Sequence, residues 1–219
     1  NGMADSSLRT VDRALDLLLH VCDDDGLHGT SLAECATATE LSASTALRVL
    51  RSLCARGFVS RDDDGLYHPG PQILRLGAGV LGRDSLIRLA EPHMKKLVDE
   101  INESVYLSVR NYDQSCLYIA IEECSQPIRH VSWVGKTIPL EGSAVGLVFS
   151  GGTPDSGFVV ERGVVEKDVT AIAAPVRVAD GTIAALSVIA PSYRIDDSAG
   201  NRIGKALVEQ CARFSRELN

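Results

Sequence analysis

The sequence predicts an α+β protein with a helical N-terminal part and a C-terminal part built on an antiparallel sheet. Two observations support this prediction. Up to about residue 56, apolar residues recur at helical spacing, whereas from Ser104 onwards short runs with strand patterns alternate with turn signals. Two of the later runs are joined by Asp180-Gly181, a strong hairpin signal. Because hairpin-linked strands pair antiparallel and helical segments flank them in the sequence, the fold class is α+β.

The first predicted element is an amphipathic helix over 8–22. Ser7 suits its N-cap, and the run Asp-Asp-Asp-Gly at 23–26 ends it. Apolar residues at helical spacing predict the face that packs against the rest of the N-terminal part. The residues on that face are Leu8, Val11, Leu15, Leu18, Leu19 and Cys22.

Two further helices follow, with a short turn between them. Ser31 and Glu34 have the spacing of a capping box at the start of the second helix. The third helix runs from Ser42, a good N-cap, to about Arg56, and Gly57 stops it. The stripe expected to be buried consists of Ala46, Val49, Leu50 and Leu53, and the other side carries Ser44, Thr45, Arg48 and Ser52.

A hairpin signature comes next. The run at 58–61 alternates, Asp64-Gly65 makes the turn, and 66–68 returns. Helix, short helix, helix and hairpin is the order of a winged helix-turn-helix, and the short turn between the second and third helices is what that motif requires.

The remaining elements complete a three-part organisation. The elements are a linker helix over 72–83, a helix over 86–101 that Pro92 kinks or restarts, strands over 104–110, 116–122 and 129–134, a short helix over 144–149, strands over 157–161, 170–178 and 182–190, and a closing helix over 196–218. The apolar stripe of the linker helix consists of Ile73, Leu76, Val80 and Leu81. We therefore predict a winged helix-turn-helix domain at 3–70, a linker at 71–85 and a sheet domain at 86–219.

Charge restricts how this chain can meet nucleic acid. The net charge of the 219 residues is −7, which argues against sequence-independent, charge-driven binding to nucleic acid. A DNA contact must therefore come from a local basic patch. One stretch offers such a patch, because Arg48, Arg51, Arg56 and Arg61 occur with no acid before Asp62.

Other patterns exclude several classes of protein. No apolar run reaches the roughly 18 residues that a membrane helix needs, and no secretion signal pattern is present, so we expect a cytoplasmic protein with no membrane partner. The six cysteines form no CxxC pair and are expected to be small buried hydrophobes, with a redox role for Cys116 and Cys124 left open. The five histidines show neither metal-ligand nor catalytic-triad spacing, so no metal, cofactor or catalytic residue is predicted.

Several short motifs together resemble the IclR family of transcriptional regulators. In the N-terminal part these motifs are Ser44–Leu50, Gly57-Phe58-Val59 and Gly70-Pro71; in the C-terminal part they are Leu89–Pro92, Ile138–Leu140, Ser143–Gly146, Ala173–Val176 and Ala185–Val188. The match follows the family order over nearly the whole chain. It implies a GAF-like effector-binding domain, a homodimer or tetramer, and operator DNA as a partner. The implied function is a DNA-binding transcriptional regulator, expected to be a repressor, whose operator affinity is controlled by a small-molecule metabolite.

The expected DNA-binding residues cluster at the third helix and its neighbours, because side chains near the start of a recognition helix read base edges in the major groove. They are Thr30, Ser31, Ser42, Ser44, Thr45, Arg48, Arg51 and Arg61. Arg48 can pair bidentately with guanine. For Ser42 the competing role is helix capping, and for Arg51 it is a surface ion pair. The acidic run 62–64 would repel phosphates, so the wing tip is expected to face away from the DNA backbone.

The resemblance also places an effector pocket over one face of the sheet, beneath the segment 140–146. The residues that it assigns to the pocket are Leu140, Gly142, Ser143, Ala144, Gly146, Glu161, Ala171, Ser187 and Ile189. At the last four positions family members often carry Asp, Cys, Ser and Ser; here Ser187 is kept and Glu161 preserves the carboxylate. Because Ala171 and Ile189 are apolar, we expect a ligand more apolar or amphipathic than small hydroxy- and oxo-acids. Plain core packing is the alternative role for those two residues.

A second departure concerns the pocket wall. Family members usually have a long helical stretch between the segments that match Ser143–Phe149 and Gly157–Glu161, whereas this chain has only 150–156 there. We therefore expect a wall that lacks a part, so that the pocket is either shallow and open or completed by a dimer neighbour.

Two other functions compete with regulation. An enzyme is the first, but Gly142–Gly146 is not a G-x-S-x-G nucleophile loop, and no acid–base constellation can be assembled from the spacing. A ligand-sensing domain protein without a direct DNA role is the second, and the acidic net charge favours it.

Overall fold

The computed structural model describes residues 2–23, 28–81, 85–127, 132–179 and 181–219. The helices are α1 Gly2–Asp23, α2 Leu32–Ala38, α3 Ala43–Ala55, α4 Pro71–Leu81, α5 Ser85–Ile101, α6 Ala144–Phe149 and α7 Asp197–Leu218, with a 3₁₀ turn at Ser192–Arg194. The strands are β1 Val59–Arg61, β2 Tyr67–Pro69, β3 Val105–Arg110, β4 Ser115–Glu122, β5 Thr137–Pro139, β6 Val159–Arg162, β7 Val169–Val178 and β8 Gly181–Pro191. Contacts divide the chain into two compact units, 1–83 and 84–219, while the finer boundaries of the linker remain predictions.

The N-terminal unit is a winged helix-turn-helix, as predicted. Helices α1, α2 and α3 and the antiparallel hairpin β1–β2 surround one apolar core. Helix α3 contributes Ala46 and Leu50, one turn apart and both fully buried, while Val49 and Leu53 pack partly against them. The predicted inner stripe of the third helix is therefore confirmed, and the opposite side of α3 is left at the surface.

Local capping explains where α2 and α3 begin. The Ser31 hydroxyl accepts a hydrogen bond from the Glu34 backbone N–H, and the Ser31 N–H donates to the Glu34 carboxylate at 2.8 Å, which confirms the capping box. The Ser42 hydroxyl accepts from the Thr45 N–H. Between the two helices Glu40 adopts a left-handed backbone with φ of 54°, which makes the turn tight enough for the motif.

The predictions for α1 need two corrections. The helix begins at Gly2, so Ser7 lies inside it and is not its N-cap. Its fully buried residues are Leu17 and Val21, whereas the predicted Val11, Leu15 and Leu19 are about half exposed. The reason is that three consecutive leucines at 17–19 support two overlapping helical stripes, and packing against α2 and α3 selects one of them. Of the predicted stop at 23–26, residues 24–26 lie outside the described part, as do the side chains of 2–8.

Helix α4 also departs from its predicted pattern. Of the predicted stripe, Leu76 and Val80 are exposed and Ile73 is partly buried, so most of its described side chains do not pack within the unit. The side chain of Leu81 and residues 82–84 lie outside the described part. The start of α4 is held to the N-terminal unit by the hydrogen bond from the Gln72 N–H to the Gly57 carbonyl at 3.0 Å, whereas Leu76 and Val80 leave an apolar surface exposed.

The C-terminal unit is built on a six-stranded antiparallel sheet in the order β5-β4-β3-β8-β7-β6. The central hairpin pairs Val178 with Gly181, which confirms the predicted connection; Asp180 itself lies outside the described residues. Helix α5 runs through Pro92 from Ser85 to Ile101 without a restart. In the described part of the chain, no helix combines the length and apolar character that a bilayer crossing requires.

The two faces of the sheet carry different layers because side chains alternate along each strand. On β8, Leu186 and Val188 point to one face and pack with α5 and α7, while Ala185 and Ile189 pack with α6 on the other. The predicted stripe of the closing helix is confirmed, since its residues are all buried: Ile203, Leu207, Cys211 and Phe214.

One predicted strand is wrong in its described part. Of the predicted strand at 129–134, residues 132–134 are not in a strand, and residues 129–131 lie outside the described part. The chain turns at Gly135, which has φ of 85°, and the Lys136 N–H donates to the Trp133 carbonyl at 2.8 Å. Backbone hydrogen bonds with Tyr118 of β4 begin at Gly135 and Lys136, and the regular strand β5 follows from Thr137, which faces Leu117.

Candidate functional site

The exposed side of α3 presents a polar and basic stripe. Ser44, Arg48 and Arg51 are exposed and follow the i, i+4, i+7 spacing that aligns side chains along one side of a helix. No ion pair joins Arg48 or Arg51 to another described residue. Thr45 lies next to this stripe and is half-buried. The guanidinium groups of Arg48 and Arg51 are thus exposed and form no ion pair with a described residue, while the Ser44 hydroxyl is exposed beside that of Ser42.

The residues around this stripe hold the motif together. The Ser42 hydroxyl, besides accepting from the Thr45 N–H, lies 3.1 Å from the Ser44 hydroxyl and donates to the Thr45 hydroxyl at 2.9 Å. Ser31 is engaged in its capping box. Thr30 is buried, and its backbone exchanges two hydrogen bonds with Tyr67 of the wing. Ser42 and Ser31 therefore cap helices and the side chain of Thr30 is buried, while DNA contact by these three residues stays a prediction.

Contacts among residues 61–68 stabilise the hairpin β1–β2, which is the wing of the motif. The Nε–H of Arg61 donates to the Gly65 carbonyl at 3.1 Å, and the guanidinium lies 5.5 Å from the centre of the Tyr67 ring. Asp62 accepts hydrogen bonds from the Leu66 N–H and from the His68 ring, both at 2.8 Å. The hydrogen bond from His68, and then that from Leu66, lower the pKa of the Asp62 carboxyl. Asp62 thus shapes the wing turn as a carboxylate, and Arg61 keeps an exposed guanidinium beside it.

A cavity lies between α6 and its face of the sheet in the C-terminal unit. Its described lining residues are mostly apolar, with two aromatic rings and two carboxylates: Tyr118, Trp133, Ile138, Ser143, Ala144, Val145, Glu161, Val164, Val165, Glu166, Val169, Ala171 and Ile189. The rings of Tyr118 and Trp133 are tilted against each other, with centres 5.6 Å apart. The free volume is about 20 Å³, enough for roughly one water molecule.

Five of the expected pocket residues line this cavity. They are Ser143, Ala144, Glu161, Ala171 and Ile189. The strand register explains the last three, because Glu161 faces Ala171 across β6 and β7, and Ala171 faces Ile189 across β7 and β8. These side chains therefore form a row on one face of the sheet. Ile189 is also part of the apolar core on this face, so this residue both lines the cavity and packs in the core.

The other four expected pocket residues support the cavity without lining it in the described structure. Leu140 is buried in the core beside α6, and Ser187 is buried within the sheet. Gly142 forms a turn with φ of 75°. At Gly146 a methyl group would lie 1.6 Å from the Leu140 carbonyl oxygen, so this glycine lets α6 approach the preceding loop. A methyl group at Gly142 would lie 3.4 Å from the side chain of Val164, which lines the cavity, and the assignment of all four residues to an effector pocket stays a prediction.

The cavity residues that the sequence analysis missed come from segments far apart in the chain. Tyr118 is on β4, Trp133 precedes the turn at Gly135, and residues 164–166 follow β6. Only strand alternation offered a signal, since Cys116 and Tyr118 share the buried phase of β4. The loop residues 164–166 gave no periodic signal at all.

The wall of the cavity is not formed where the family resemblance located it. The short connection 150–156 joins α6 to β6 and does not line the cavity. Instead, the segment 163–168 between β6 and β7 covers it with Val164 and Val165, whose side chains are half exposed on their outer side. Gly163 and Asp168 bound this segment with left-handed backbones at φ of 65° each. The segment 163–168 thus forms the part of the wall that the connection 150–156 does not, and completion by a dimer neighbour stays a prediction.

The buried thiols and phenols of the unit are held in their neutral forms. Burial raises the pKa of Cys116 and of Cys211 to about 12 and that of Tyr106 to about 12, and it also raises the pKa of Tyr118. All six cysteines are free. A thiol reacts as its thiolate, so the structure agrees with the interpretation of Cys116 as a small buried hydrophobe.

Comparison with known proteins places both units. The IclR helix-turn-helix domain matches residues 10–63, and the bacterial transcriptional regulator IclR C-terminal domain matches residues 78–156. The HTH-type transcriptional regulator BhcR of Paracoccus denitrificans is 32% identical over 147 residues, which are 66% of this chain and 51% of that protein. The chain thus spans about half the length of the curated relatives it matches.

Solved structures share the fold over almost the whole chain. An IclR transcriptional regulator from Alicyclobacillus acidocaldarius is 24% identical, covers 95% of this chain and 98% of its own, and has a TM-score of 0.80. An IclR homologue from Microbacterium hydrocarbonoxydans, solved as a complex with 4-hydroxybenzoate, is 20% identical with a TM-score of 0.73, and the alignment covers 95% and 98% of the two chains. These relatives are transcriptional regulators and not enzymes.

Proposed function

Because the chain belongs to the IclR family of transcriptional regulators, we propose that it binds operator DNA through α3 and that a small molecule in the C-terminal cavity controls this binding. One observation carries the DNA-binding role. A helix with a fully buried stripe at Ala46 and Leu50 presents Ser44, Arg48 and Arg51 to solvent on its other side. A recognition helix needs this division, since one face must hold the motif while the other enters the groove.

The contacts are proposed to divide between reading and positioning. Arg48 lies one turn after Ser44 and is placed to reach a base edge, for which a guanidinium suits guanine. Arg51 and Arg61 are placed to contact phosphates, which fix the register of the protein on DNA. Because the whole chain carries a net charge of −7, this local patch must supply the attraction to phosphate.

The DNA-binding role can be tested by first selecting an operator from a random duplex library with the wild-type protein. We expect Arg48→Ala to weaken binding to the selected operator by about 1–3 kcal/mol and to relax the preference at one base position. Arg51→Ala should weaken binding to all sequences alike and lower the salt dependence.

The matched control for this test is Arg88→Ala, which removes an exposed arginine from α5 in the other unit and should leave operator affinity unchanged. Failure to select any preferred sequence would favour the ligand-sensing alternative without a DNA role. An unchanged operator affinity of Arg48→Ala would remove Arg48 from the reading set.

For the effector, we propose an apolar or amphipathic molecule. The described lining of the cavity is mainly apolar and aromatic, and the solved homologue from Microbacterium holds the small aromatic 4-hydroxybenzoate. A thermal-shift screen should show stabilisation by amphipathic aromatic or branched metabolites. A screen in which only small dicarboxylates stabilise the protein would contradict this proposal.

We further propose a homodimer or a tetramer of such dimers, formed by the N-terminal unit. Two helices of this unit carry exposed apolar side chains in rows, Val11, Leu15 and Leu19 on α1 and Leu76 and Val80 on α4. A second copy is the occupant that fits, because helix-turn-helix proteins bind two half-sites as dimers. Sedimentation velocity should show a dimer or tetramer for the wild type and a smaller species for Leu15→Glu. A monomeric wild type would contradict this assembly.

Repression in the cytoplasm, where the DNA lies, is the proposed mode of action. A promoter–reporter fusion that carries the selected operator should be less active when the protein is present, and Arg48→Ala should restore its activity. Higher reporter activity with the wild type would reverse the sign and make the protein an activator.

A further inference from the structure

The charged residues that line the described part of the C-terminal cavity all carry negative charge. Among its described lining residues, the two that carry charge are both carboxylates, Glu161 and Glu166. Lys167 follows in the sequence but is exposed and does not line the cavity. A ligand with its own carboxylate would therefore meet like charge in a partly desolvated site, which disfavours binding.

Of the two carboxylates, Glu161 is the one that is partly buried, whereas Glu166 is exposed. Glu161 lies on β6 at the end of the row that continues through Ala171 and Ile189, and its side chain is half-buried. No ion pair joins Glu161 to another described residue. The residue that faces Glu161 on the neighbouring strand is Ala171, whose side chain is a single methyl group. A half-buried carboxylate without an ion-pair partner among the described residues favours a cationic hydrogen-bond donor there.

The Ser143 hydroxyl, which also lines the cavity, does not provide a competing site for an anion. The Ser143 hydroxyl donates to the Pro139 carbonyl at 2.8 Å and accepts from the Gly146 N–H at 3.1 Å. Its proton and one acceptor position are therefore used in capping α6. The remaining contacts available to a ligand in the described lining are largely apolar and aromatic, from Tyr118, Trp133 and Ile138.

We infer that the effector is an amphipathic amine, with its ammonium group at Glu161 and an aromatic or branched apolar body against Tyr118 and Trp133. This inference rests on the proposed function and specifies the chemistry of its ligand. Aromatic faces add to the attraction because their quadrupoles favour a nearby cation. The apolar body of the ligand would pack against the remaining, mainly apolar lining residues.

The cavity must widen to admit such a ligand, since its free volume is about 20 Å³ and roughly one water would fill it. The segment 163–168 is the part of the wall that can yield. Its residues Val164 and Val165 cover the cavity but are already half exposed, so moving them outward uncovers little additional apolar surface. Binding is therefore coupled to displacement of this segment.

Isothermal titration calorimetry at neutral pH with three probes of similar size tests the inference. These probes are 2-phenylethylamine, 2-phenylethanol and 3-phenylpropionate, which differ in charge. We expect the amine to bind at least about tenfold more tightly than the alcohol, and the acid to bind most weakly. Hydrogen exchange of 163–168 should change when the amine binds.

Variants of the carboxylate locate the charge preference. Glu161→Gln should weaken amine binding by about tenfold or more while changing alcohol binding by less than about threefold. Glu161→Asp should retain the preference for the amine. The matched control is Glu141→Gln, which neutralises an exposed carboxylate near α6 that does not line the cavity and should change nothing.

Three results would overturn the inference: tighter binding of the acid than of the amine, amine binding that Glu161→Gln leaves unchanged, or no binding of any probe at millimolar concentration. The operator-binding assay on the same preparation separates these failures from failure of the proposed function. Operator binding without amine binding removes only the ligand class, whereas amine binding without any operator preference removes the DNA role and keeps the site.

Discussion

The exposed face of α3 and the cavity of the C-terminal unit differ in how much of the chain builds them. The stripe Ser44, Arg48 and Arg51 lies on a single helix, and its orientation depends on the buried residues between them in sequence. The cavity draws its described walls from β4, the turn before β5, β5 itself, α6 and its N-cap, β6, the segment 163–168, β7 and β8. A surface of one helix is therefore a local feature, whereas the cavity exists only when distant segments meet. Substitutions should affect the two regions in correspondingly different ways.

The largest effect is expected from Leu50→Ala, which should break the support of the α3 face. Leu50 is fully buried in the core of the N-terminal unit, and truncating such a leucine costs about 2–5 kcal/mol of unfolding free energy. Urea denaturation should show this loss, and hydrogen exchange should rise within 28–81 and stay unchanged in β7 and β8. Leu89→Ala, at a more exposed leucine on α5, is the matched control. Equal losses of protection in both units would contradict the independence of the two regions.

Gly146→Ala should disturb the cavity of the C-terminal unit without affecting the α3 face. The added methyl group would meet the Leu140 carbonyl at 1.6 Å, and overpacking of this kind costs about 1–3 kcal/mol. Ligand binding should be lost while operator affinity of the ligand-free protein is retained. The same change at Gly79 on α4, where nothing lies within 4 Å, should not destabilise the protein. Retained ligand binding in Gly146→Ala would show that α6 can shift without disturbing the cavity.

Ser31→Ala removes the capping box that starts α2 and should cost about 1 kcal/mol of stability. The reason is that the Glu34 N–H loses its acceptor, the Ser31 hydroxyl. The effect should be confined to the N-terminal unit and be measurable by denaturation. Ser52→Ala, on the exposed side of α3, is the control and should be neutral or slightly stabilising. If Ser31→Ala lowered the stability no more than Ser52→Ala, water would have replaced the Ser31 hydroxyl as the acceptor for the Glu34 N–H.

The smallest effect is expected at the turn of the helix-turn-helix. Glu40 has a left-handed backbone with φ of 54°, which is unfavourable for a residue with a Cβ atom. Glu40→Gly should therefore raise the stability by up to about 1 kcal/mol, because relief of this strain outweighs the added freedom of the unfolded chain. Glu40→Ala retains the strain and should give no gain. A destabilised glycine variant would show that the unfolded-state entropy dominates.

The local features were predictable because each depends on neighbours within one or two turns. The winged helix-turn-helix order, the caps at Ser31 and Ser42 and the buried stripe around Leu50 all follow from spacing in the sequence. The failure at α1 has the same physical basis, since the leucines at 17–19 support two stripes and only packing chooses between them. Likewise, residues 132–134 of the predicted strand at 129–134 lie before the strand because the chain turns at Gly135, and regular pairing with β4 starts at Thr137.

The sequence alone determined the element order, the α+β class and the side of α3 that faces solvent, because periodicity and capping act over a few residues. Tertiary structure alone decided the composition of the cavity. It brought Tyr118, Trp133 and residues of the segment 163–168 into one cavity with Glu161, and the register that aligns Glu161 with Ala171 and Ile189 is set by the packing of the whole sheet. It also decided that Gly146 supports the cavity without lining it, since the nearby Leu140 carbonyl is placed there by the fold.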